Sequence, residues 1–156
     1  MENGITLSEQ IREVFGRSAV PPGAMSPLTL AFVGDAVYTL VIATMVVDQG
    51  NASNEKLHNK TEKLVSARAQ AGAVKRIEEA EILTQEEKDI LRRGINAKPR
   101  SHAKNASLTE YHRATGLEAL IGYLYLSGRQ ERLIEIVAYG AGVFEPGTGQ
   151  IRASDF

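Results

Sequence analysis

The sequence predicts an all-α domain, and three features of it do so. Apolar residues recur at three- and four-residue spacing along most of the chain. No stretch alternates with the period of two that a half-buried strand needs. Helix-capping residues and glycines punctuate the chain at helix-length intervals. A chain of 156 residues has room for one core rather than two. Hydrophobic residues make up 43% and charged residues 24%, close to a globular average, so disorder and low complexity are excluded for most of its length.

Taken in order, Thr6 and Glu9 form a capping box, and Leu7, Ile11, Val14 and Phe15 share one face before Gly16 stops the first helix. AVPPGAM reads as a loop. Ser26 and Pro27 read as N-cap and first residue of a long helix that closes at Gly50 and is apolar nearly all round, as at the centre of a bundle or at a subunit interface. Asn54 opens a helix through Leu57 and Leu64, and Ser66 caps another that runs to about Ala80. Thr84 with Glu87 is a second capping box, opening a short helix that ends near Gly94. Residues 97–107 read as a polar, basic loop around Pro99. A second very apolar helix follows from about Leu108 to Leu126, stopped by Ser127 and Gly128. A last amphipathic helix carries Leu133, Ile134, Ile136 and Val137. That makes about seven helices. Residues 1–25 are a helix and a loop, 26–139 the main domain, and 140–156 a tail whose Gly, Pro and Ser content predicts flexibility.

Composition narrows the chemistry. With no cysteine, disulfides, thiolate zinc sites, iron–sulfur clusters and cysteine nucleophiles are excluded. The start MENGITLSEQ lacks a basic stretch followed by an apolar one, so no secretory signal is predicted and the cytoplasm is the expected location. In the nearly apolar segment Leu28–Val47, the uncharged part Ala36–Val47 is 12 residues, which reads as too short for a membrane span. The net charge of −1 hides an asymmetry: residues 78–89 carry a balance of −5, and residues 92–113 one of +5 from Arg92, Arg93, Lys98, Arg100, Lys104 and Arg113 against Glu110. A basic patch on a neutral domain is a local anion site, or else simply a solvated face.

Two carboxylates stand out. Asp35 is the only charged residue between Pro27 and Val47, and Glu118 the only one between Ala114 and Leu126. Each is expected to be buried, which demands a cation, dense hydrogen bonding or a raised pKa. Each has a glycine nearby, Gly34 and Gly116, through which another backbone or a ligand can approach. Either acid alone is explained as well by an internal ion pair. Together, in a chain with a basic segment, they point to a shared divalent cation. Oxygen ligands favour Mg²⁺ or Mn²⁺, and such an ion serves phosphodiester hydrolysis. His58, His102 and His112 have no zinc spacing. GLEALIG lacks a Walker lysine, Ser66 and Ser101 lack a nucleophile signature, and Tyr123 and Tyr125 read as packing residues.

LAFVGDAVY (Leu30–Tyr38) resembles the signature helix of the ribonuclease III family, LEFLGDAVL in its usual form. LEALIGYLYL (Leu117–Leu126) resembles that family's second acidic motif, and LVSARAQA (Leu64–Ala71) lies between them as a corresponding segment does in the family. RRGINAK (Arg92–Lys98) and YHRATGLEALIGYLYL are similar to the short Mini-ribonuclease III branch, which has the catalytic domain without a double-stranded-RNA-binding domain. The resemblance covers residues 26–138. It implies a ribonuclease III-like catalytic domain with Asp35 and Glu118 as catalytic and metal-binding acids. In the larger members two further acids belong at the positions of Ala31 and Thr115, and the short branch typically lacks both. The resemblance further implies a homodimer built on the signature helix, with Phe32 at its interface, acting on double-stranded RNA. Precursor large-subunit (23S) ribosomal RNA is the implied substrate, with a large-subunit ribosomal protein as a further candidate partner and no membrane. Arg93, Lys98, Arg100, Lys104 and Arg113 are the candidates for holding phosphates. The alternative is a non-catalytic RNA-binding or ribosome-assembly protein with the same fold, which the absence of the two further acids supports.

Overall fold

A computed structural model describes residues 5–97 and 107–142. Among the described residues there are seven α-helices and no strand: α1 (Leu7–Val14), α2 (Pro27–Val47), α3 (Asn54–Val65), α4 (Ala67–Ala80), α5 (Gln85–Ile95), α6 (Leu108–Leu126) and α7 (Gln130–Gly140), with a 3₁₀ turn at Pro22–Ala24. Local chemistry sets the boundaries. Thr6 with Glu9 and Thr84 with Glu87 close reciprocal capping boxes, and Ser26, Ser53 and Ser66 each accept from the backbone N–H three residues on. A third box, Ser107 with Glu110, starts α6 and escaped the sequence reading.

The two most apolar helices, α2 and α6, pack along each other at the centre, with α5 and α4 against α6 and α7 against α4. Tyr38, Ile42 and Val46 of α2 bury against Val74 and Ile77 of α4, Leu120, Ile121 and Leu124 of α6, and Ile136 and Val137 of α7. By length and composition α2, at 21 residues, is able to span a bilayer, which the 12-residue count understated. It nevertheless buries one side in this core, and on its other side Leu28, Phe32, Leu40 and Val47 are exposed. Ile134 departs from the pattern too: it lies on the outer side of α7 and is exposed.

A buried ion pair joins α5 to α7. Glu87, 1% exposed, receives Arg132 Nε at 2.9 Å and NH2 at 2.7 Å, and that guanidinium also donates to the Ile82 carbonyl at 2.6 Å. The charges hold Glu87 below the usual carboxylate range despite its burial, through hydrogen bonds from Arg132 and Thr84. The first helix is held differently. Its polar side contacts the body, with Ser8 buried and Arg12 donating to the Leu126 carbonyl at 3.0 Å, while Val14 and Phe15 stay exposed.

Candidate active site

The helices α2 and α6 cross backbone to backbone. A Cβ on Gly34 would overlap the Glu118 carbonyl, and one on Gly122 would overlap the Leu30 carbonyl, so only glycine fits either position. Asp35 follows Gly34, and Glu118 supplies the opposing carbonyl. The crossing therefore places the two acids face to face. They share a cleft of about 600 Å³ lined by Leu28, Phe32 and Thr39 of α2 and by Tyr111 and Thr115 of α6. Ala31 and Thr115, where the larger members carry acids, both line this cleft as well.

Burial divides the pair unequally. Glu118 is half-buried, whereas Asp35 is exposed, contrary to the expectation that both lie buried. Among the described residues, little covers the side of α2 that carries Asp35 and Phe32, both of which are exposed. Glu118 is pushed up to about 9, first by burial, then by a hydrogen bond and like-charge repulsion from Asp35. Gln70 of α4 acts the other way and favours its ionised form. Neither acid makes an ion pair among the described residues, and no group of three His, Cys, Asp or Glu occurs there. Two adjacent hard-oxygen ligands with no compensating side-chain cation suit Mg²⁺ or Mn²⁺, with other oxygens completing the shell. Behind Glu118 lies Tyr38, 1% exposed, whose hydroxyl is pushed up to about 12 by burial, with Arg76 opposing and Glu118 adding to the shift.

Of the predicted phosphate ligands, Lys98, Arg100 and Lys104 lie outside the described residues. Arg93 is exposed on α5 without a carboxylate partner among the described residues. Arg113 sits on α6 but pairs with Glu78 at 2.7 Å, and Arg92 pairs with Asp89 at 3.4 Å. A second basic feature went unread in the sequence. A pocket of about 310 Å³ at the start of α4 is lined by Lys63, Arg68 and Arg76 and by no acid. None of these three pairs with a carboxylate among the described residues; Arg76 Nε donates to the Gly140 carbonyl at 2.7 Å. The three cations are spread over two helices divided at Ser66, so they form no run in the sequence.

Fold and site together define a helical domain that sets two acids across a helix crossing, beside basic surface. Comparison with known proteins specifies it further. The Ribonuclease III domain model matches residues 28–129. Mini-ribonuclease 3 of Thermoanaerobacter sp. (strain X514) is 50% identical over 122 residues, 78% of this chain and 84% of that one. Mini-ribonuclease 3 of Symbiobacterium thermophilum is 40% identical over 126 residues, 81% and 95% of the two chains. The crystal structure of protein FN1578 from Fusobacterium nucleatum superposes with a TM-score of 0.66 at 32% identity, covering 73% of this chain and 89% of that one. The chain belongs to the ribonuclease III family, in its Mini-ribonuclease III branch. Membership makes it an endoribonuclease, a hydrolase of RNA.

Proposed function

We propose that this chain is a divalent-metal-dependent endoribonuclease specific for double-stranded RNA, acting in the cytoplasm as a homodimer on the paired ends of precursor 23S ribosomal RNA. The observation that carries the proposal is the meeting of Asp35 and Glu118 across the glycine crossing, in a chain half identical to a Mini-ribonuclease 3. These two acids would hold Mg²⁺ or Mn²⁺. Such an ion, when bound, makes a water nucleophilic near neutral pH and stabilises charge on a phosphoryl group. Arg93, Lys98, Arg100, Lys104 and Arg113 hold backbone phosphates, Arg113 by leaving Glu78, and Lys63, Arg68 and Arg76 extend the basic track. A duplex is recognised through shape and phosphates, so such a track needs no base contacts. The homodimer reading rests on α2, where Phe32 is 84% exposed in line with Leu28, Leu40 and Val47. An apolar strip of that kind is covered in a working protein, and a symmetric pair of sites matches the two strands of a duplex.

The test is end-labelled duplex RNA incubated with Mg²⁺ or EDTA, alongside Asp35→Asn and Glu118→Gln. Mg²⁺-dependent cuts on both strands, absent from both folded variants, are expected. A second reading, a non-catalytic RNA-binding protein, is favoured by Ala31 and Thr115 standing in the cleft where acids belong in larger members. Binding without cutting under every divalent ion would select it.

A further inference from the structure

Four polar or charged side chains are buried among the described residues: Ser8, Gln70, Glu87 and Thr115. Three are satisfied. Ser8 shares a hydrogen bond with Thr6 at 3.2 Å, Glu87 holds Arg132, and Thr115 donates to the Tyr111 carbonyl at 3.0 Å. Gln70 is the exception: it is 1% exposed, and its Nε2 closes no hydrogen bond. An amide nitrogen kept dry without an acceptor costs stability, and a leucine or methionine of similar size would avoid that cost. Gln70 lies on the inner side of α4 with Ala73, Val74 and Ile77, and α4 packs against α6. Its amide is close enough to the Glu118 carboxyl to favour that group's ionised form, without closing a hydrogen bond to it.

We propose that Gln70 is a positioning residue: its Nε2–H group holds the Glu118 carboxylate in the orientation that faces Asp35, so that both acids present oxygens to one cation. The inference rests on the metal-dependent reading above. Glutamine suits the task because it donates without carrying charge. A lysine there would compete with the cation, and a leucine would leave the carboxylate free to turn. Buried in the core, Gln70 touches neither RNA nor solvent, so its effect reaches the reaction only through Glu118. Residues that orient metal ligands in this way typically set affinity by one to two powers of ten.

The experiment compares wild type, Gln70→Leu and the volume-conserving Gln70→Met by calorimetric titration with Mn²⁺ and by melting without metal. The expected result is Mn²⁺ affinity lower by roughly 10- to 100-fold in both variants, with metal-free melting temperatures equal to or above wild type. RNA cleavage by the variants should recover at high Mn²⁺, because the activation midpoint moves rather than the maximal rate. Unchanged Mn²⁺ affinity overturns the positioning role while leaving the metal reading intact. Weaker Mn²⁺ binding with a parallel fall in metal-free melting temperature overturns it in favour of a packing role. Wild type that takes up no Mn²⁺ at all removes the metal reading, and this inference with it.

Discussion

At the residue scale, Asp35 and Glu118 are two carboxylates that disfavour each other's charge, a conflict that the proposed cation would relieve. On the proposed metal-dependent reading, removing either carboxylate forfeits several kcal/mol of transition-state stabilisation, so Asp35→Asn and Glu118→Gln should each lower the cleavage rate by about a thousandfold or more. Without metal the same change should help folding. The Glu118 carboxyl titrates higher in the folded chain than its usual 4.5, so the folded state holds a proton that the unfolded state has lost. Its contribution is therefore fully favourable below pH 4.5 and fades as the pH rises towards 9. Metal-free Glu118→Gln should melt above wild type at pH 8 and level with it at pH 5; scanning calorimetry at the two pH values checks this. Both acids were legible in the sequence because each stands alone in an apolar helix. Gln70 was not: one amide in an ordinary amphipathic helix leaves no mark on pattern or composition.

At the element scale, two glycines set the distance between the acids. Gly34→Ala or Gly122→Ala forces α2 and α6 apart at their crossing, with an expected cost of about 3 kcal/mol and a loss of cleavage beyond what the lower stability explains. Gly72→Ala supplies the contrast. It sits inside α4 with the Arg76 guanidinium 3.5 Å from the Cβ position, so the change should be neutral or stabilising by up to about 1 kcal/mol. Urea melts of the three variants decide the matter. The sequence revealed most helix boundaries because Ser26, Ser53, Ser66, Thr84 and the glycines are local signals. It could not reveal the crossing. Gly34 and Gly122 look alike to Gly72 until the partner helix is in view.

At the scale of the whole molecule, two ionisations oppose one another. The Glu87–Arg132 pair ties α5 to α7 above pH 4.5 and is lost as the pH falls through the lowered value of Glu87, while Glu118 weakens the metal-free fold on the alkaline side. Glu87→Gln should cost roughly 3 kcal/mol by leaving Arg132 half-satisfied, and should flatten the acid limb of the stability profile. The apolar side of α2 carries the other prediction. Phe32→Asp should convert a dimer into a chain of 16.9 kDa by sedimentation; a wild type that already sediments as a single chain sinks the homodimer. Burial of Asp35 was misjudged at this scale, since an apolar helix reads the same whether a core or a second subunit covers it.

The glycine crossing also imposes an order on synthesis. Asp35 precedes Glu118 by most of the domain, and α4 and α5 find their main packing partner only in α6, the helix that carries Glu118. Contacts between segments so distant along the chain form late, because the intervening loop must first be closed. A growing chain therefore holds only Asp35 of the proposed pair, and the pair is completed when α6 docks on α2.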